Sequence, residues 1–285
     1  MNKVEVFIRR LIARYLSPVV EIIYRVRFKF ISFKEPPIII LTPGKVGSSS
    51  VYHTLKSKLD NPVFHIHRLS EKGIKNSIEE HLQSDRKSKP LHLIVSNLLR
   101  KKLNTYHGEI YVVSIIREPV SRSISAFFQN TEIYKNKIEK SGLEIDSEKA
   151  LSLLSIQLKN GITTNIEKWF EEEIHNNFGI DVFNNDFNIK KGYEITNIGR
   201  VKHLLIKMEV LNEQFSVAMD SLLENGKSVK LDNTNIGDQK HYSESYNIVK
   251  NRVMLDSETI NDVVSSKYFQ KFYKEKEKDV RKKWT

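Results

Sequence analysis

The chain has 285 residues, no cysteine and a formal net charge of +11 at pH 7. Its 39% hydrophobic and 28% charged residues exclude a mainly disordered or fibrous protein. The absence of cysteine excludes disulfides, thiolate zinc sites and a cysteine nucleophile, and the positive surplus points to an anionic partner.

That surplus is unevenly placed. Residues 1–34 carry Lys3, Arg9, Arg10, Arg14, Arg25, Arg27, Lys29 and Lys34 against Glu5 and Glu21, a net +6, which leaves +5 for the rest. The same stretch is apolar at positions 4, 7, 8, 11, 12, 15, 16 and 19, a helical spacing that leaves Arg9, Arg10 and Arg14 off the stripe. Charges every few residues rule out a membrane span, and the arginines fall where a signal peptide needs its apolar run. Pro18 kinks or divides the helix. Two readings stand: an amphipathic helix on an anionic membrane face, or one packed on the body or on a second subunit. The expected organisation is a basic helical arm at 1–34 and a single domain at 35–285.

After Pro36-Pro37, residues 38–42 (IIILT) form a continuous apolar run, the mark of a strand buried on both faces of a parallel sheet. A Gly- and Ser-rich loop follows, then a helix over 51–59 and a second strand over 62–67 (PVFHIH). A helix is expected at 74–82, a third strand at 91–95 (LHLIV), a short helix at 98–103, and a strong strand at 111–116 (YVVSII). Pro119 opens a helix running to Phe128. Residues 131–180 read as mostly helical. Residues 184–198 alternate around Lys191-Gly192 as a hairpin would. A strand at 204–208, a helix at 209–223 and a polar loop leading to C-terminal helices complete the pattern. Alternating short strands and helices predict an α/β fold with a central parallel sheet flanked by helices.

The segment 38–52 (IIILTPGKVGSSSVY) carries the chemistry. A strand, a turn-rich loop and a helix start make an anion site, because unpaired backbone N–H groups and the helix dipole converge there. Gly44 and Gly47 let the backbone curl, Ser48, Ser49 and Ser50 add hydroxyls, and Lys45 supplies a mobile positive charge. It is not a Walker A loop, because Val46 follows Gly44-Lys45 where that motif needs Ser or Thr. Further on, Arg117 ends a strand and Ser125 lies eight residues later on the next helix. An Arg and a Ser so placed can both reach one phosphate. Both segments stand at the carboxyl edge of parallel strands, where ligands bind in open α/β sheets.

These two segments resemble the sulfotransferase superfamily, whose donor is 3′-phosphoadenosine 5′-phosphosulfate (PAPS). Lys45-Val46-Gly47-Ser48-Ser49 is similar to its Pro-Lys-x-Gly-Thr-Thr/Ser loop, with Gly44 inserted after Pro43. Arg117 and Ser125 repeat the spacing of its 3′-phosphate motif, and Arg117-Glu118-Pro119 matches the Arg-Asp/Glu-Pro of carbohydrate sulfotransferases. Residues 204–211 (LLIKMEVL) resemble its strand-plus-Glu-x-Leu segment. Within the superfamily the chain looks most like bacterial capsular polysaccharide synthesis proteins of sulfotransferase type. The likeness runs from Pro37 to Leu211 with gaps, and more weakly over the C-terminal helices.

The resemblance implies a P-loop-like three-layer fold, with extra helices in the C-terminal half, and a sulfuryl transfer that uses no metal. Gly44, Lys45, Val46, Gly47, Ser48, Ser49 and Ser50 would bind the 5′-phosphosulfate, and Lys45 would also neutralise charge on the bridging oxygen. Arg117 and Ser125 would select the 3′-phosphate. A late loop would close on the donor, with Lys240 as the candidate in this chain, although the family's Arg-Lys-Gly element is absent. The acceptor hydroxyl needs a general base, which the family places near the end of the second strand. Here that position offers His67 first and His65 second, and alternation puts the two on one face. His92, in the expected third strand, reads as core. The implied acceptor is a carbohydrate or glycolipid, and the implied location is the cytoplasm, peripheral on the inner membrane face through residues 1–34. The alternatives are a P-loop-type nucleotide kinase and a non-enzymatic polyanion- or membrane-binding protein. No nucleic-acid-binding motif is visible.

Overall fold

Side chains of the first strand alternate between two separate cores. Ile39 and Leu41 join one apolar cluster and Ile38 and Ile40 the other, and all four are fully buried. The third and fifth strands split in the same way, so the sheet is sandwiched between two helical layers. The computed structural model describes residues 19, 21–83, 90–129, 145–159, 161–224, 228–232 and 243–285.

Its strands are β1 (Ile38–Leu41), β2 (Val63–Ile66), β3 (Ile110–Ile116), β4 (Tyr193–Ile198) and β5 (Val201–Lys207). They lie in the order β2-β1-β3-β5-β4. The first four of that order are mutually parallel, and β4 closes the edge antiparallel to β5. The chain leaves β1 toward β2 on one side and returns to β3 on the other. The carboxyl ends of β1 and β3 therefore form the switch point where open α/β sheets leave a crevice.

The helices in chain order are α1 (residues 21–30), α2 (Ser48–Lys58), α3 (Glu71–Gln83), α4 (Leu91–Thr105) and α5 (Pro119–Gln129). After them come α6 (Ser147–Leu158), α7 (Thr164–Phe170), α8 (Leu211–Leu223), α9 (Ser243–Arg252), α10 (Ser257–Ser265), α11 (Lys267–Phe272) and α12 (Glu277–Trp284). Helices α2 and α8 cover one face of the sheet. Helices α4, α5, α6 and the C-terminal group cover the other. Phe28 of α1 packs into that second layer, its ring centroid 5.8 Å from that of Phe64.

Two expectations fail. Residues 91–95 are not a strand but the opening of the 15-residue helix α4, which also absorbs the short helix expected at 98–103. Its buried residues, Leu93, Ile94, Ser96, Leu99 and Leu103, follow helical rather than alternating spacing. The hairpin turns not at Lys191-Gly192 but at Gly199-Arg200, between the paired residues Ile198 and Val201. Gly192 instead opens β4, with φ +72°, and a Cβ there would stand 2.8 Å from Val210 Cγ2.

Candidate functional site

The loop between β1 and α2 turns through three left-handed residues. Gly44, Lys45 and Gly47 have φ of +81°, +64° and +78°. Glycine adopts this region freely, but a lysine there carries strain that its surroundings must hold. Helix α2 starts at Ser48 with Gly47 as its N-cap, no side chain capping it and no acid in its first turn. Its first backbone N–H groups therefore present an anion site with the positive end of the helix behind them. Val46 is wholly buried beneath the loop, so only its backbone is left for a ligand. Ser48 is buried, Ser49 exposed and Ser50 half-buried.

Strand β2 delivers the two expected histidines to one edge of this loop, with ring centroids 5.1 Å apart. His67 Nδ1 lies 2.9 Å from the carbonyl oxygen of Thr42 and 3.4 Å from its hydroxyl. Burial pulls its pKa below the ordinary value, the Thr42 carbonyl opposes that shift, and His92, Lys45 and Arg68 add to it. His65 Nε2 lies 2.8 Å from Ser48 Oγ, and its ring stacks on Tyr52. Burial and the neighbouring His67 lower its pKa to about 4. Both imidazoles are therefore neutral at pH 7, the state a general base requires. His92 is not core. It is exposed, 6.5 Å from the His67 ring, on the rim of the same cavity.

Two arginines brace the loop from the β3–α5 side. Arg117 Nη1 donates to the carbonyl of Lys45 at 3.1 Å. Arg122 donates to the carbonyls of Gly44 and Pro43 at 3.1 and 2.7 Å. Burial lowers the pKa of Arg122, and these two acceptors are what its guanidinium gains in exchange for water. The Arg117 backbone is itself held from the C terminus, because the buried Tyr268 hydroxyl accepts from its N–H (3.2 Å) and donates to its carbonyl (2.9 Å). Glu209, in the Glu-x-Leu segment, accepts from the Glu118 N–H and from the Tyr273 hydroxyl.

The turn after β2 is gripped in the same manner. Trp169 Nε1 donates to the His67 carbonyl at 2.9 Å. The fully buried Glu173 carboxylate accepts from the N–H groups of Leu69 (2.6 Å) and Ser70 (2.8 Å) and from the Ser70 hydroxyl. Glu173 sits in a one-turn π-helix, Glu171–His175, that extends α7. Arg68 Nη1 lies 3.5 Å from it.

A cavity of about 300 Å³ opens among these groups, lined by Gly44, Lys45, His67, Arg68, His92, Arg122 and Trp169 with four others. None of its lining residues is acidic, and three are permanent cations, so it suits an anion. Lys45, Gly44 and His67 thus meet as expected, and Arg117 touches the loop. Ser125 is half-buried on α5 and is not among the lining residues. Lys240 lies outside the described residues. Arg122, Arg68, Trp169, Glu173 and Tyr268 were not expected. Only Arg122 had a local signal, five residues beyond Arg117 in the same segment.

Residues 142–274 match the family model NKWYS, described as "Putative capsular polysaccharide synthesis protein". The matched stretch contains Trp169, Glu173, Glu209, Tyr268 and Tyr273, which brace the site, and stops short of the loop and Arg117. Its name suggests a role in capsular polysaccharide synthesis. No curated protein and no solved structure matches the chain.

Proposed function

We propose that the chain is a transferase that moves a sulfuryl group from PAPS to a hydroxyl of a carbohydrate used in capsular or surface polysaccharide synthesis. One observation carries the reading: an uncapped helix start and a Gly-Lys-Val-Gly loop with three left-handed residues, tied down by Arg117 and Arg122, stand beside a neutral His67. When bound, PAPS supplies the sulfuryl group and departs as adenosine 3′,5′-bisphosphate. The loop N–H groups and Lys45 suit the charge that gathers on transferred and bridging oxygens. His67 suits the removal of the acceptor proton. Lys45 stands in mid-loop rather than at the helix start, which argues against a nucleotide kinase.

Radiolabelled PAPS incubated with the protein and cell-envelope glycan should label the glycan and release adenosine 3′,5′-bisphosphate, and Lys45→Ala should abolish both. Transfer of label from ATP instead would favour the kinase.

A further inference from the structure

Helix α1 has two apolar faces. Tyr24 and Phe28, with Ile31 just past the helix end, pack on the core, and Phe28 is 7% exposed. Val19, Ile22, Ile23, Val26 and Phe30 are between 49% and 77% exposed. At 3.6 residues per turn the four of these on α1, Ile22, Ile23, Val26 and Phe30, fall within an arc of about 100°, opposite the docked face. Arg27 borders one side of the stripe, and Arg25 and Lys29 border the other, all three exposed. Arg25 is paired with Glu21 at 2.6 Å, while Arg27 and Lys29 carry the charge outward. In sequence, the stripe continues the spacing of positions 4 to 19, in a stretch of net charge +6.

We propose that this outer stripe seats the protein on an anionic bilayer, with α1 lying in the plane of the interface and the domain above it. The inner face fixes the helix to the body, so burying the outer stripe brings the whole domain to the surface. Apolar residues flanked on both sides by Arg and Lys are what an interfacial helix needs: the stripe enters the acyl boundary and the cations meet the headgroups. A second copy of the chain fits less well, because pairing along this stripe would set like-charged borders against each other. Among the described residues no helix is long and apolar enough to cross a membrane.

The test is co-sedimentation of the full chain with vesicles of phosphatidylcholine alone and of phosphatidylcholine mixed with phosphatidylglycerol. The wild type should pellet with the anionic vesicles only, and less as salt rises. Two double variants, Ile22→Ser with Val26→Ser and Arg27→Gln with Lys29→Gln, should each bind roughly tenfold or more weakly. Their Tm should not change, because the altered side chains are exposed. Equal binding to both lipids, no binding to either, or a variant that pellets like the wild type overturns the proposal. So does a dimer that the Ile22/Val26 variant dissociates while neither protein pellets.

Discussion

Nδ1 of His67 lies 2.9 Å from the carbonyl oxygen of Thr42. A carbonyl only accepts, so the ring proton sits on Nδ1 and the lone pair on Nε2. The carbonyl that fixes the tautomer belongs to Thr42, which opens the β1–α2 loop, so the proposed base and the proposed anion site are set by one backbone group. His67→Ala should lower kcat on the order of 10²–10⁴-fold. It should leave adenosine 3′,5′-bisphosphate binding nearly unchanged, with His65→Ala milder in kcat. Because burial lowers the His67 pKa, the acid limb of the rate profile should fall below pH 6.5. Full turnover in His67→Ala would assign the base elsewhere.

Tyr268→Phe removes the one hydroxyl that serves both backbone polar groups of Arg117. Leaving buried backbone groups unsatisfied costs about 1–3 kcal/mol. Urea unfolding should show that loss, and calorimetry should show the bisphosphate binding more weakly than it does to wild type, with AMP binding less affected. A variant as stable as wild type would mean that the C-terminal clamp is dispensable.

Gly73 leaves no room for a side chain, since a Cβ would stand 2.0 Å from Glu173 Oε1 and 2.7 Å from Ser70 Oγ. Gly73→Ala must displace Oε1 from the Ser70 hydroxyl and so disturb Oε2 on the Leu69 and Ser70 N–H groups. The expected cost is about 1–3 kcal/mol, with a fall in kcat as the His67 turn shifts. The same substitution on a Glu173→Ala background should cost less, because the clash and the bonds are already gone. Strict additivity would separate the two residues.

A part-buried and a fully buried imidazole, His65 and His203, should make the protein acid-sensitive. Burial lowers His65 to about 4 and His203 to about 3, from 6.5 in the unfolded chain. Between those values the unfolded chain binds more protons, so stability falls as pH drops below 6.5 and is flat above it. Each group contributes a slope of about 1.4 kcal/mol per pH unit within its window. His203→Leu should flatten the loss between pH 6 and 5, measured by chemical denaturation. An unchanged slope would show that other groups govern it.

Much of the sheet and the loop was legible because their signals are local. β1 and β3 are continuous apolar runs, as strands buried on both faces must be, and residues 44–50 spell a turn before a helix. Residues 91–95 misled because a run of four apolar residues and one histidine after a proline looks alike as strand or helix, and only the 15-residue window resolves the period. The bracing residues were invisible for a different reason. Trp169, Glu173 and Tyr268 bind backbone groups 102, 104 and 151 residues away, and no short pattern encodes such a contact.

The most direct test of the account is calorimetry of the full chain with adenosine 3′,5′-bisphosphate and with AMP. The account predicts tight binding of the bisphosphate, much weaker binding of AMP, and loss of that difference in Arg117→Ala. Equal affinity for the two ligands, or a difference that survives Arg117→Ala, would contradict it.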